Sequence, residues 1–455
     1  MTKGLTELIV DFVSSIRFDK IPGEAIDVVR TGFTDCVAVM VAGAHEPVTR
    51  IVGSVVPNKG GNGEARLCLS PERAAAPDAA LISGTAAHAL DYDDVAMDAH
   101  PSAPLVATLL SEGEALGSSG RDLITAYVAG YEVWADLAYR DQSPHHAKGW
   151  HPTAIFGVIG ASAAAAVLHR LPAKQVRAAL GIAASHAGGL TANFGSMTKP
   201  FHVGRAAHNG IMAARLAKAG MTAADDIFEH QLGYLTAISP EGEVDRTAES
   251  SHLGHEWRIL RYGLNVKKYP MCYAVHRTLD GFLDLLAEHP VSADEIDDIE
   301  MRLGETQAAI LRNHRPQTGL EAKFSAEFSC AAAAVAGKAG LNELSDEFVR
   351  RNDVQRFMAK VTVATTSETD PYSPAFAPSD RIVVKLAGGD LLDSGEICHA
   401  RGHAKLPLTT ADMWAKFYDC LATSTHEATA RALFDQLQYI DELGNVSELP
   451  SVVRA

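Results

Sequence analysis

A chain of 455 residues with 47 % apolar and 21 % charged side chains is longer than one hydrophobic core usually serves, so two unequal domains are expected and disorder is excluded. The excess of 56 acidic over 40 basic residues leaves a formal net charge of −16, which argues against a nucleic-acid partner because phosphate neutralisation needs a basic surface. Apolar runs are Ala-rich, short and broken by charge, well under the roughly 20 continuous residues of a membrane span.

The first predicted element is a helix. Ile9, Phe12, Val13 and Ile16 recur at helical spacing, and Glu7 and Asp11 interrupt what a signal peptide would keep apolar. Six scattered cysteines (Cys36, Cys68, Cys272, Cys330, Cys398, Cys420) form no CxxC pair, so reduced thiols in a soluble cytoplasmic protein are expected. Up to about residue 265 the text reads as helix after helix, with the Ala-Gly runs GTAAHAL (84–90), IGASAAAAVLHR (159–170) and GRAAHNGIMAARLAKAG (204–220). Alanine favours helix, and small residues let helix axes approach closely. Gly220 reads as a helix stop, and Thr222 with Asp225 three residues on reads as the next N-cap.

After about residue 266 the pattern changes. Cys272 to His289 reads as a helix with Leu279, Phe282, Leu283 and Leu286 on one face, and Ser292–Glu295 has capping-box spacing. Ile299, Met301 and Leu303 alternate with charged residues as in a half-buried strand. Val361 and Val363 do likewise, and 382–386 and 391–392 flank a Gly388-Gly389 turn. The tail returns to helix, with Thr409 as cap, Asp412 at N3, and Met413, Phe417, Cys420 and Leu421 at helical spacing. The expected architecture is mainly α: a large all-helical domain (1–265 and 401–455) with a smaller α+β domain (266–400).

Four segments concentrate polar groups. In SGTAAHALDYDDVAMDAHPSAP (83–104), Asp91, Asp93, Asp94 and Asp98 crowd within eight residues and must be protonated, paired or cation-bound to coexist. A solvated acidic turn, a Mg²⁺ site and an acid/base cluster that tunes His100 are the three readings. Negative charge at a helix C-terminus opposes the dipole in the first, and no glycine-rich phosphate cradle accompanies the second. In Lys148–Thr153, Thr153 is expected to cap the next helix, with Pro152 outside it and His151 at its positive end. In Ser196–Arg205, the cations Lys199, His202 and Arg205 enter a helix of small residues built for burial, and so call for an anionic partner. In Val266–His276, Lys267 and Lys268 stand at the domain junction, where ligand sites often lie, and Cys272 reads as a buried inert thiol. Together these residues suit proton transfer at a carbon next to a carboxylate, with cations and a helix N-terminus holding the substrate.

The strings GTAAHALDYDD with HPS, GWHPTA, KPFHVGRAAHNG, KKYPMCYAVH, EAKFSAEFSCAAAA and ARGHAKLPLTTADMWAKF resemble the MmgE/PrpD family, in order and over nearly the whole chain. The resemblance implies a helical domain with an α+β lid, a homodimer, a site between domains, and neither metal nor organic cofactor. By motif, His100 would be the principal acid/base, with Asp91 orienting it or sharing its proton. Lys199, His151 and Lys267 or Lys268 would bind substrate carboxylates, with Tyr92, His202 and Arg205 as further substrate contacts. Two departures stand out: Val95 where the cis-aconitate decarboxylases of the family resemble one another in threonine, and Phe328 where they place a site-facing tyrosine.

The leading expectation is therefore a cofactor-independent, dehydratase-type lyase acting on a small di- or tricarboxylate such as 2-methylcitrate. Epimerisation of a substituted succinate such as iminodisuccinate is the main alternative. Decarboxylation of cis-aconitate, made less favourable by the two missing hydroxyls, and a non-catalytic ligand-binding role complete the set.

Overall fold

Small side chains decide how the helical part packs. The computed structural model describes residues 3–57, 63–141, 143–247, 250, 252–371, 373 and 375–452. These divide into two compact units, Met1–Leu264 with Thr409–Ala455, and Asn265–Leu408.

The first unit contains α1 (Leu5–Ser15), α2 (Gly23–Gly43), α3 (Ala76–Ala89), α4 (Ser102–Leu116), α5 (Gly120–Ala138), α6 (Pro152–Leu168) and α7 (Thr198–Lys218). Helix α6 is apolar on all sides and buried along all but one residue, so it forms the centre, against α4, α5 and α7. Helix α7 crosses α3 where Gly84 meets Gly204. A Cβ on Gly204 would lie 2.1 Å from the Leu81 carbonyl oxygen and 2.4 Å from Thr85 Oγ1, so only glycine permits this approach. At the next contact a Cβ on Gly210 would stand 2.4 Å from Ala161 Cβ. The tail helix Thr410–Leu421 carries the expected cap, with Thr409 and Asp412 bonded reciprocally, and packs on α2. No described helix is long and apolar enough to cross a membrane.

The second unit is a four-stranded sheet with helices. Strands β1 (Ile296–Gly304), β2 (Val361–Thr366), β3 (Arg381–Leu386) and β4 (Leu391–Asp393) lie in the order β2-β1-β3-β4. The β1–β2 pair is parallel, with Met301 opposite Val363. The β1–β3 pair is antiparallel, with Met301 opposite Ile382, and β3–β4 is the hairpin around Gly388-Gly389. Ile299, Met301, Leu303, Ile382 and Val384 turn one face into a core completed by Leu279, Phe282, Phe328 and Ala331–Ala333 from the helices His276–Glu288 and Ala326–Ala336.

Local expectations are corrected at several points. Gly220 ends α7 with φ +102°, but Thr222 and Asp225 open turns rather than a helix. Ser292 and Glu295 make capping-type hydrogen bonds (2.7 and 2.8 Å), yet the chain then enters β1, because the alternation that follows has a strand period. The helix expected from Cys272 begins at His276, after a 3₁₀ turn. A two-residue antiparallel ladder, Ala65–Arg66 with Arg73–Ala74, breaks the all-helical text. Residues 401–408 stay with the second unit, since Val266 N–H donates to the Gly402 carbonyl (2.8 Å) and a Cβ on Gly402 would meet that residue's own oxygen at 2.0 Å.

Candidate active site

The chain leaves α3 through Asp91, which is left-handed at φ +52°, and re-enters helix at Ser102. Met97 and Asp98 are also left-handed, and Ala96 and Ala99 exchange hydrogen bonds across the bend. Aspartate tolerates this conformation better than most residues, and backbone held there clusters at functional sites.

The bend turns three of its four carboxylates inward, each to a different partner, which accounts for their crowding. Asp98 is exposed. Asp91 Oδ1 accepts from Lys199 Nζ of α7 (2.6 Å), both side chains being only 8 % exposed. Asp93 takes His88 Nδ1 with both oxygens (2.9 and 3.0 Å). Burial alone would raise Asp93, but His88 and His100 facing it hold its carboxyl well below the usual range. Asp94 is pushed well above that range by burial and by the neighbouring Asp35, which favours its uncharged form. The solvated-turn reading of this segment is thereby overturned: one of the four carboxylates meets solvent, and the others are buried.

His100 sits between two carboxylates. Its Nδ1 faces the Asp94 main-chain oxygen at 3.0 Å and Asp93 Oδ2 at 3.3 Å, while Nε2 lies 3.8 Å from Asp91 Oδ1. Both groups on the Nδ1 side are acceptors, so Nδ1 carries a proton, while Nε2 faces the Asp91 carboxylate that Lys199 holds. Asp93, itself held by His88, faces Nδ1, while Asp91, expected to orient the ring or share its proton, faces Nε2. The His88 and His100 rings meet edge-on with centroids 4.4 Å apart.

A second layer of imidazoles lines this group. His151 Nδ1 is 3.2 Å from His202 Nδ1, and the His151 ring stacks 5.9 Å from His88 and packs edge-on against Phe194 at 5.0 Å. Lys199 Nζ lies 5.0 Å from the centre of the Phe194 ring. Burial pushes His88, His146 and His202 down to about 4, helped by Lys199 in each case, and pushes His151 well below its usual value. These rings are therefore neutral hydrogen-bonding groups at neutral pH, and Lys199 supplies the charge. His88, Asp91, Asp93 and His100 offer ligand atoms within 4.8 Å of one another. The Lys199 ammonium on Asp91 and the His88 N–H on Asp93 already balance the two carboxylates by ion pairing and hydrogen bonding.

Asp91, His100, His151, Lys199 and His202 are thus brought together in one unit. Three other expectations change. Thr153 does not cap α6: Pro152 occupies the first helical position, where its missing N–H costs nothing, His151 is the N-cap, and the Thr153 hydroxyl accepts from the His100 N–H (3.2 Å). Arg205 is exposed, so burial demands no anionic partner for it. Tyr92, expected as a substrate contact, is buried, with the Lys416 ammonium 3.9 Å from its ring centroid. Phe328 lies in the core of the second unit, packed edge-on to Phe348, where a hydroxyl would have no water to meet. Lys267 and Lys268 belong to the second unit, the first buried and the second half-buried 5.9 Å from the Tyr269 ring centre; Cys272 there is half-buried. Sequence reasoning passed over His88, which hides in an Ala-rich helix. Its five-residue spacing to Asp93 across a helix end is the signal that was available.

Comparison with known proteins gives one consistent result. Residues 7–247 match the MmgE/PrpD N-terminal domain and residues 269–438 the MmgE/PrpD C-terminal domain. The chain is 26 % identical over 389 residues to the cis-aconitate decarboxylase of Mus musculus, covering 83 % of this chain and 78 % of that protein. It is 27 % identical over 396 residues to the Homo sapiens cis-aconitate decarboxylase, covering 83 % and 79 %. With the Aspergillus terreus cis-aconitate decarboxylase it shares 22 % identity over 475 residues, covering 98 % and 95 %.

Proposed function

Because the chain belongs to the MmgE/PrpD family, we propose that it is a lyase that moves a proton at the carbon beside a carboxylate of a small di- or tricarboxylate, with His100 as the proton carrier. The observation that carries this reading is the setting of His100: acceptors on Nδ1, and Nε2 turned to a buried Lys199–Asp91 pair, 3.8 Å from Asp91 Oδ1. An imidazole fixed in one tautomer by a carboxylate is a competent base at Nε2, and its cation is stabilised by Asp93 once the proton is taken. The Lys199 ammonium, held on Asp91, is a charge that a substrate carboxylate could meet by a charge-assisted bond in a low-dielectric setting. The neutral His151 and His202 add hydrogen bonds without repelling a cationic transition-state partner.

In the dehydratase-type reaction, His100 removes the proton α to a carboxylate and a nearby acid protonates the departing β-hydroxyl. Decarboxylation of cis-aconitate is the second reading, and the names of the relatives favour it. There the carboxylate leaves as CO₂, the electron pair stays on carbon, and His100 returns a proton to it. The objection from two missing hydroxyls is weaker than the sequence suggested, since Phe328 is a core residue; Val95, half-buried on the bend itself, still stands. Metal and organic cofactor are not required in either route, as Lys199 supplies the cation.

Proton NMR in D₂O with EDTA present, on citrate, 2-methylcitrate, cis-aconitate and iminodisuccinate, separates these routes. A new vinyl signal from a citrate, or addition of water to cis-aconitate, is the expected outcome for the dehydratase. A methylene-substituted succinate with CO₂ release would establish the decarboxylase. Deuterium entering a succinate skeleton without other change would make the protein an epimerase and overturn the lyase reading. So would activity restored only by an added divalent cation overturn metal independence.

A further inference from the structure

The string ARGHAKLPLTTADMWAKF contains one residue that reaches the candidate site from the far end of the chain. Lys416, on the tail helix Thr410–Leu421, is buried, its side chain 5 % exposed. Its ammonium pairs with Asp35 of α2 at 2.5 Å, donates to the Tyr92 main-chain oxygen at 2.9 Å, and stands 3.9 Å from the centre of the Tyr92 ring. Tyr92 is the residue between Asp91 and Asp93. The peptide held by Lys416 therefore separates the carboxylate that faces His100 Nε2 from the carboxylate that faces His100 Nδ1.

We propose that Lys416 is a positioning residue: its ammonium clamps the Asp91–Tyr92–Asp93 backbone so that Asp93 stays against His100 Nδ1 and holds the ring's proton there. The clamp needs a buried cation, and Asp35 is what makes one tolerable there, since an ammonium out of water requires a charged partner. It also needs a backbone that would otherwise relax. Asp91 is left-handed, and the Asp91 and Asp93 side chains are pulled toward different helices, by Lys199 on α7 and His88 on α3. A lone pair of opposite charges would explain Asp35 and Lys416 without Tyr92. The third contact, to the one carbonyl between the two carboxylates, is what gives the pair a role at the site. The inference rests on the reading of His100 as the proton carrier.

The test is ¹⁵N NMR of selectively ¹⁵N-histidine-labelled full-length protein, with the His100 ring assigned by its loss in His100→Gln. Wild type is expected to show a single Nδ1–H tautomer at His100. The double variant Lys416→Met/Asp35→Asn removes both charges together, so no buried ion is stranded and the fold is retained. In it, His100 is expected to become a mixture of tautomers while the melting temperature stays within a few degrees. On whichever carboxylate is turned over, kcat is expected to fall about tenfold or more with KM changed far less, as for misplacement of a reacting group. An unchanged His100 tautomer in the folded double variant overturns the inference, because a merely structural pair would leave it so. Should the double variant not fold, Lys416→Arg decides. A planar guanidinium keeps Asp35 paired but cannot place a compact charge over the ring and on the carbonyl at once. A perturbed His100 tautomer then supports the clamp, and an unperturbed one overturns it. If wild type turns over no carboxylate, the function reading fails alone, since the tautomer is read without substrate.

Discussion

At the scale of single residues, the site is a set of decisions about where protons sit. His100 is useful because its two nitrogens face different things: acceptors on one side, an ion pair on the other. Replacing it with glutamine is expected to lower kcat by roughly 10²–10⁴-fold, the span usual for loss of a general acid or base, with a melting temperature close to wild type. Turnover near wild type in that variant would remove His100 from the mechanism. Lys199→Met is expected to act differently. It deletes the charge that meets the substrate carboxylate, a bond of about 1.5–3 kcal/mol, so KM is expected to rise about tenfold or more. It also strands Asp91, so stability falls with it. Steady-state kinetics that gave an unchanged KM would end that role for Lys199. These residues were legible because they stand in polar strings within small-residue text. The assignment of partners was not, because Asp91 and Asp93 are two positions apart in one string and the backbone sends them to opposite nitrogens of the same ring. His88 was invisible for a related reason: a histidine in an alanine helix looks the same whether it fills a core or grips a carboxylate.

At the scale of elements, the helices were readable wherever periodicity or a cap was decisive. The Thr409–Asp412 box, the β1 alternation and the Gly388-Gly389 hairpin are local signals, and each forms as read. Ser292–Glu295 shows the limit of a local signal, since its hydrogen bonds form and a strand follows. What the small residues do is a matter between elements. Gly204 lets α7 lie against α3, and this contact holds Lys199 opposite Asp91. Gly204→Val is expected to cost about 1–3 kcal/mol or more through overpacking against the Leu81 carbonyl. Gly23→Ala, whose new Cβ meets nothing within 4 Å, is expected to be neutral or slightly stabilising. Urea unfolding of both compares them directly, and equal midpoints would show that the crossing has room to spare.

At the scale of the whole molecule, burial of ionisable groups ties stability to pH. In the first unit, His88, His146 and His202 sit near 4 when folded, against about 6.5 in an unfolded chain. Between those values the unfolded chain binds more protons, so their contribution is complete above about pH 6.5 and is lost as the pH falls toward 4. Glu132, held up by burial to about 7, works the other way over that range, being protonated only when folded. His151, also pushed down, joins the three and Asp94, also pushed up, joins Glu132; the buried histidines outnumber the raised carboxyls, so calorimetry is expected to show this unit melting earlier on going from pH 6.5 to 4.5, and a later transition would contradict the balance. In the second unit, His403 near 4 opposes Asp380 near 7, and its transition is expected to move little. The amino-acid order by itself determined the helical character of one part, the mixed character of the other, the ends of most elements and the polar strings from which a site could be drawn, because propensity, period and caps act within about ten residues. Only the tertiary structure decided that Asp93 faces His100 Nδ1, that Arg205 is exposed and Phe328 lies in the core of the second unit, and that Lys416 reaches Tyr92 from 324 residues away. Those outcomes depend on which buried charge finds which partner, and chain-distant groups compete for that pairing on terms of distance and desolvation that no local spacing records.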